Sequence, residues 1–309
     1  MEALTYRPSD KFSTAVPAQE AFLQSVTAEK FIQVSDEVLT LEGNCFDRTG
    51  KYMYFTTTIG HAIYKVDMET KDCKKIWSDT GIRPAAIKIH KDGTLYVACL
   101  STEAMGGVFR MDGDGNFIDW VIKGYSVDDL AFDEKGGFYF TDFIGDFRNP
   151  IGGVYYVNPE QTKVTLWCGG MCQPNGIAFS KDYSILWVTE FQAQKLHRFD
   201  VKENRAGIPY TFQGMSGPDS CEIDDDDNLY VALPQQGRVM VFNKFGAPIG
   251  QILMPGREEG KNSFTTHPMI DPNSKKCYIT CKDTVGSDGS SIFVAEAYAK
   301  GNSRMYQFL

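Results

Sequence analysis

Four side chains able to offer oxygen to a hard cation recur at matched places along this 309-residue chain: Glu42, Asp128, Asn175 and Asp219. Each lies four residues before an apolar anchor, namely Phe46, Phe132, Phe179 and Ile223. Two further anchors, Ile89 and Ile270, have Ala85 and Thr266 at the same offset. Gathered at one point, three carboxylates would repel one another or protonate unless a cation neutralised them. Two unit charges 4 Å apart interact by about 4 kcal/mol even at an effective dielectric of 20. No His or Cys occupies this offset, so the donor set is all oxygen. That chemistry points to Ca2+ first, with Mg2+ or Mn2+ behind it. An ion held at a concave mouth, with water completing its shell, can act as a Lewis acid on a carbonyl oxygen.

The elements that must position these groups are written as a repeat. Successive anchors are 43, 43, 47, 44 and 47 residues apart. In each copy the anchor leads into a polar turn and then an apolar segment of period-two character, as in "IKIHKDGTLYVAC", "LAFDEKGGFYFTD" and "CEIDDDDNLYVAL". Turns rich in Gly, Asp, Asn, Ser and Lys suit tight β connections. Further short strands follow, such as "GGVFRMD" and "GGVYYVN", and nothing helical intervenes. Six copies of a unit of about 45 residues with three or four strands each predict an all-β, six-bladed β-propeller. Innermost strands of a propeller run side by side around the axis, so the six offset positions meet at one mouth of the central channel. The segment "AEKFIQVS" (28–35) is placed to close the ring by joining the last blade. Residues 1–27 read as an N-terminal extension and 28–309 as a single propeller domain.

The same alignment assigns other acidic stretches to turns. Asp224 to Asp227 fall between the first and second strands of the fifth blade and are expected to be solvated. "DGDGN" (112–116) resembles the start of a calcium loop, but the position that an EF-hand reserves for glycine is Phe117. A net charge of −9 and a pI near 5.0 argue against nucleic acid as a partner. No run of 18 apolar residues is present, so no membrane span is expected, and no signal-peptide pattern is read at the start. The eight cysteines show no disulfide framework or CxxC step, which suits reduced, mostly buried thiols in a cytoplasmic protein. No protein partner is evident.

"LEGNCFD" (41–47), "VDDLAFD" (127–133), "QPNGIAFS" (173–180) and "GPDSCEID" (217–224) resemble the metal-ligand signatures of the senescence-marker-protein, gluconolactonase and luciferin-regenerating-enzyme-like family. "PAAIKIHKDG", "GGFYFTDF", "NPIGGVYYV" and "VFNKFGAPIGQILMPGREEG" are similar to its bacterial drug-responsive lactonase branch, and the likeness runs from about residue 28 onward. The resemblance implies a Ca2+-dependent lactonase acting on a small-molecule cyclic ester. It implies Glu42, Asp128, Asn175, Asp219 and Ser220 as metal ligands, Ser220 being added by the resemblance alone. It also implies Asp219 as catalytic acid/base, assisted by Asp128. The branch carries a second calcium. Here Ala104 stands where a ligating serine is expected, and the loop "IKGYSV" (122–127) is shortened and lacks the expected aspartate, so one ion is expected. Two rival readings share the frame: a hydrolase of phosphoester or phosphofluoridate bonds, and a non-enzymatic calcium-binding propeller. His267, next to Thr266, and Arg83, just before Ala85, are candidates for contact with substrate at the mouth.

Overall fold

The structure is a computed structural model that describes residues 16–102, 105–214, 216–285 and 288–302. Two strands precede the first repeat, β1 (Gln24–Thr27) and β2 (Glu29–Ser35). Blade one holds β3 (Leu41–Phe46), β4 (Tyr52–Thr57), β5 (Ala62–Asp67) and β6 (Cys73–Ser78). Blade two holds β7 (Arg83–Ile89), β8 (Leu95–Leu100), β9 (Gly107–Met111) and β10 (Phe117–Lys123). Blade three holds β11 (Val127–Phe132), β12 (Phe138–Asp142), β13 (Gly152–Val157) and β14 (Val164–Met171). Blade four holds β15 (Pro174–Phe179), β16 (Ile185–Glu190), β17 (Lys195–Asp200) and β18 (Arg205–Thr211). Blade five holds β19 (Cys221–Ile223), β20 (Leu229–Leu233), β21 (Arg238–Phe242) and β22 (Pro248–Leu253). Blade six holds β23 (Phe264–Ile270), β24 (Lys276–Lys282) and β25 (Ser290–Glu296). Each blade is a separate sheet, and the six first strands pack in sequence, with β23 returning to β3. The chain is therefore a six-bladed β-propeller, with no α-helix among the described residues.

Burial explains why the sequence patterns differ along each blade. First and second strands are covered on both faces by adjacent blades, so β3, β8, β11, β15 and β16 are buried throughout, and their polar residues, such as Glu42, Asp128 and Asn175, stand out against apolar neighbours. Outermost strands lie at the rim, and β18 is almost wholly exposed. Aromatic side chains fill the wedges between blades, among them Phe46, Phe55 and Phe109, which are fully buried in one core cluster.

Blade six lacks a fourth strand of its own, and β2 supplies it by pairing antiparallel with β25. The ring closes as expected. Gln24–Thr27, which the repeat does not reach, are also built in: β1 pairs parallel with β22 as a fifth strand of blade five. Just before it, Glu20 is buried and pairs with buried Arg238 at 2.6 Å. Arg238 also donates to Gln236 Oε1 and Gln251 Oε1, and the Tyr210 hydroxyl meets Glu20.

Two turn assignments have different outcomes. Asp112 accepts backbone N–H bonds from Asp114 and Asn116 in the β9–β10 turn, as expected of a plain connection. The Asp224–Asp227 turn is not solvated throughout. Asp224 is fully buried and accepts from Asn228 and the Tyr230 hydroxyl, while Gly301 bridges to it and the Asp225 N–H donates to Lys300. The C-terminal segment folds over this turn, and only Asp226 of the four remains exposed. All eight cysteines are free, and six are buried.

Candidate metal centre

Glu42, Asp128 and Asn175 are each the second residue of a first strand, and Asp219 and Ser220 immediately precede β19. The four predicted ring residues are only 8, 9, 3 and 6% exposed, in chain order. Their placement depends on local irregularity. The β3–β4, β7–β8, β11–β12, β15–β16 and β23–β24 ladders all slip within a few residues of the ring position. Such bulges bend a strand and re-aim a side chain. Glycine permits the close approach that follows. Gly43, beside Glu42, has φ +53°, and a Cβ there would lie 2.2 Å from Ala86 Cα. Gly176, beside Asn175, packs against Ser220 and Cys221, whose backbone atoms would be 2.5–2.7 Å from an added Cβ.

A set of threonines locks the ring from behind. Thr56, Thr141 and Thr189 occupy equivalent places in second strands, and each donates its hydroxyl to a ring-position carbonyl of the next blade. The bonds run to Ala85 (3.1 Å), Asn175 (2.5 Å) and Asp219 (2.7 Å). Thr141 and Thr189 also accept an N–H from their own first strand. Thr266, the sixth ring position, turns its hydroxyl to the Leu41 carbonyl at 2.6 Å and so joins blade six to blade one. The sequence signal for Thr56, Thr141 and Thr189 was the recurring Thr in "YFTT", "YFTD" and "WVTE".

Electrostatically the ring is a place of crowded negative charge. Burial, then Asp219 and Asp128, push the Glu42 carboxyl well above the carboxylate range. Burial, then Asp219 and Asp129, do the same to Asp128, with Arg83 opposing. Burial pushes Asp219 up to about 7 against hydrogen bonds from Asn175 and the Ser220 N–H. The Oδ1 of Asn175 is buried with no hydrogen-bond partner. Lys282 lies nearby: its ammonium donates to Thr40 at 2.7 Å, two residues before Glu42, and stands 4.1 Å over the Phe264 ring. Among the described residues, no three His, Cys, Asp or Glu side chains are drawn together tightly enough to hold a metal by themselves. The neutral oxygens of Asn175 and Ser220 therefore matter to any donor set here. A buried acceptor without a partner and carboxyls that burial biases toward protonation are the features a hard cation would satisfy. The residues present thus fit the implied ion.

Deeper in the channel Lys88 spans blades two, three and five, 3.4 Å from Asp129 and 3.5 Å from Glu222. Burial lowers its pKa, but these two carboxylates more than reverse that and raise it. His267 belongs to this layer. It is fully enclosed, both ring nitrogens lack partners, and burial followed by Lys88 holds its pKa well below the histidine range. It does not line the mouth, contrary to the sequence expectation, because β23 continues inward from Thr266. A cavity at the anchor end of the channel is lined by Lys88, Ile89, Phe132, Phe179, Glu222 and Asn302, away from the ring. Arg83 is half-buried at the start of β7 and makes no hydrogen bond or ion pair among the described residues. Ala104 lies outside the described residues.

The fold and this buried acidic ring define a six-bladed propeller with a polar centre at one end of its axis. Residues 120–281 match the model of the SMP-30/gluconolactonase/LRE-like region. The chain is 43% identical over 320 residues to a protein named lactonase drp35 from Staphylococcus saprophyticus, covering 100% of this chain and 98% of that one. It is 45% identical over 313 residues to lactonase drp35 of Staphylococcus aureus strain MW2, covering 97% and 96%. The chain belongs to the SMP-30/gluconolactonase/LRE-like family. Among solved structures, a calcium-binding protein, regucalcin, from Agrobacterium tumefaciens superposes with a TM-score of 0.72 at 15% identity, over 91% of this chain and 99% of that one. A gluconolactonase from Xanthomonas campestris gives 0.69 at 16% identity, over 92% and 99%. At that identity the likeness speaks to fold alone.

Proposed function

We propose that the protein is a divalent-metal-dependent lactonase, with Ca2+ the expected ion. The observation that carries this reading is the buried ring itself: Glu42, Asp128 and Asp219 with the unpaired Asn175 Oδ1, in a chain 43% identical to a named lactonase over its full length. Glu42, Asp128, Asn175, Asp219 and Ser220 would hold the ion. When bound, it supplies Lewis acidity to the lactone carbonyl and stabilises the charge that develops on its oxygen.

The remaining chemistry falls to the chain. Asp219 accepts a proton from the attacking water as that water's oxygen bonds to the carbonyl carbon. The ring C–O bond then breaks, and the departing alkoxide takes the proton back from Asp219. Asp128, two blades from Asp219 with Asn175 between them, orients the water. The product is one hydroxycarboxylic acid, which loses a proton to solvent at neutral pH. The Thr189 hydroxyl holds the Asp219 backbone carbonyl, and the Ser220 N–H donates to the Asp219 Oδ1 at 3.0 Å, which orients the carboxylate.

The reading is tested by assaying lactones of varied ring size with and without a chelator, alongside phosphotriesters. Turnover should vanish on chelation and return with Ca2+. Asp219→Asn should lower kcat about 10²- to 10⁴-fold, the usual worth of a positioned acid/base. Hydrolysis indifferent to chelator, or retained by Asp219→Asn, would sink the mechanism. Preference for phosphotriesters would move the reaction class.

A further inference from the structure

The layer just outside the carboxylate ring differs from it in sign. Stepping two residues toward the mouth from each ring position gives Thr40, Arg83, Ser126, Gln173, Gly217 and Phe264. None is a carboxylate. Arg83 is a half-buried guanidinium with no hydrogen-bonding or ionic partner among the described residues. Lys282 joins this layer by its bond to Thr40 and its position over Phe264, which leaves two of its three N–H donors beyond Thr40. On the opposite blades, Phe143 and Phe191 hang from the same layer through backbone bonds to Ser126 (2.7 Å) and Gln173 (2.9 Å). Their half-buried rings meet edge to face with centroids 6.0 Å apart.

We infer that the mouth selects lactones carrying a second, anionic group, which Arg83 and Lys282 hold while the ester ring lies against Phe143 and Phe191. This rests on the lactonase reading and adds the substrate class. Three ring carboxylates against a dication leave one negative charge, Arg83 and Lys282 add two positive charges on blades two and six, and the buried Asp142 carboxylate, which accepts from the Ser126 N–H at 2.8 Å, stands on the blade-three side with Phe143. The deeper Lys88–Asp129–Glu222 group carries one negative charge but lies further inward. Arginine suits the task because its planar fork matches a carboxylate in two places. Arg83 already exerts its field on the ring, where it opposes the rise in the Asp128 carboxyl. A half-buried guanidinium with no hydrogen-bond or ion-pair contact among the described residues has donors to spare, and a substrate anion would take them.

The test pairs γ-valerolactone with 5-oxotetrahydrofuran-2-carboxylate, which share a ring and differ in a methyl or a carboxylate. The Ca2+-loaded protein should favour the carboxylate by about ten-fold or more in kcat/KM, as a charged hydrogen bond warrants. The preference should shrink as salt is raised. Arg83→Met and Lys282→Met should each reduce the selectivity ratio, mainly through KM, while Arg83→Lys should keep part of it. Calorimetry should show the product 2-hydroxyglutarate binding more tightly than 4-hydroxypentanoate, with the difference lost in the Met variants. Equal use of both lactones, or a ratio unmoved in folded Arg83→Met and Lys282→Met proteins, overturns the inference and leaves the lactonase reading standing. Hydrolysis of neither lactone nor of any wider lactone panel overturns both.

Discussion

Asn175 isolates the metal question in one atom. Its Oδ1 is buried and unpaired, so in the ion-free protein it is a cost rather than a gain. Asn175→Leu relieves that cost but removes the amide's hydrogen bond to Asp219, so stability in chelator should fall by no more than about 1 kcal/mol, while the stabilisation that Ca2+ provides shrinks. Thermal unfolding with and without Ca2+ separates the two; an undiminished Ca2+ effect would remove Asn175 from the ligand set. The ring carboxyls set a pH dependence with a definite sign. Their folded pKa values lie above the unfolded range near 4, with Asp219 at about 7. Without an ion, their contribution to stability is fully present below about pH 4 and is lost as the pH rises through the folded values. Ca2+ requires the ionised forms, so its gain in Tm should be larger at pH 8 than at pH 5. Equal gains would contradict the ring as the binding site. At this scale the sequence was legible where a residue recurred in register and illegible where it acted alone. Glu42, Asp128, Asn175 and Asp219 stood out because blades repeat. Asp224 was misjudged because the Lys300–Gly301 segment that covers it has no counterpart in other blades. Lys282 and Lys88 owe their roles to partners from other blades, which alignment of the repeats does not reveal.

Among the elements, the bulged first strands carry the site. Gly43→Ala would force a Cβ into the Ala86 backbone while φ stays positive. A loss of about 1–3 kcal/mol is expected from overcrowding alone. Because the strain sits beside Glu42, Ca2+ affinity should fall as well; a denaturant midpoint and calorimetry report the two effects separately. The N-terminal strands make a different case. β2 was legible as the missing strand of blade six, since one blade was short by one. β1 was not, because blade five already had four strands and gave no sign of wanting a fifth. Its attachment rests on Glu20 and Arg238, buried together at 2.6 Å. Glu20→Ala strands a buried guanidinium and should cost about 3–5 kcal/mol, read as a shift in the urea midpoint. A shift under 1 kcal/mol would mean that β1 is an ornament rather than a part of blade five.

For the whole molecule, the closed order of six first strands turns local repeats into one rigid ring around a polar axis. Lys88 ties blades two, three and five across that axis. Lys88→Met leaves Asp129 and Glu222 buried without their counter-charge and should be among the more damaging single changes, again about 3–5 kcal/mol by denaturant titration. The number of blades was legible from spacing alone, whereas the cross-axis ties depend on closure and have no linear signature. Closure also has a consequence for how the chain is made. β2 leaves the ribosome near the start, but its partner β25 is roughly 250 residues further on. At about 5–20 residues per second, the edge of β2 waits on the order of 10–50 s before a mate exists. For that interval the nascent chain carries an open hydrogen-bonding edge, which makes the time of synthesis the period in which this protein is most exposed to pairing with the wrong strand.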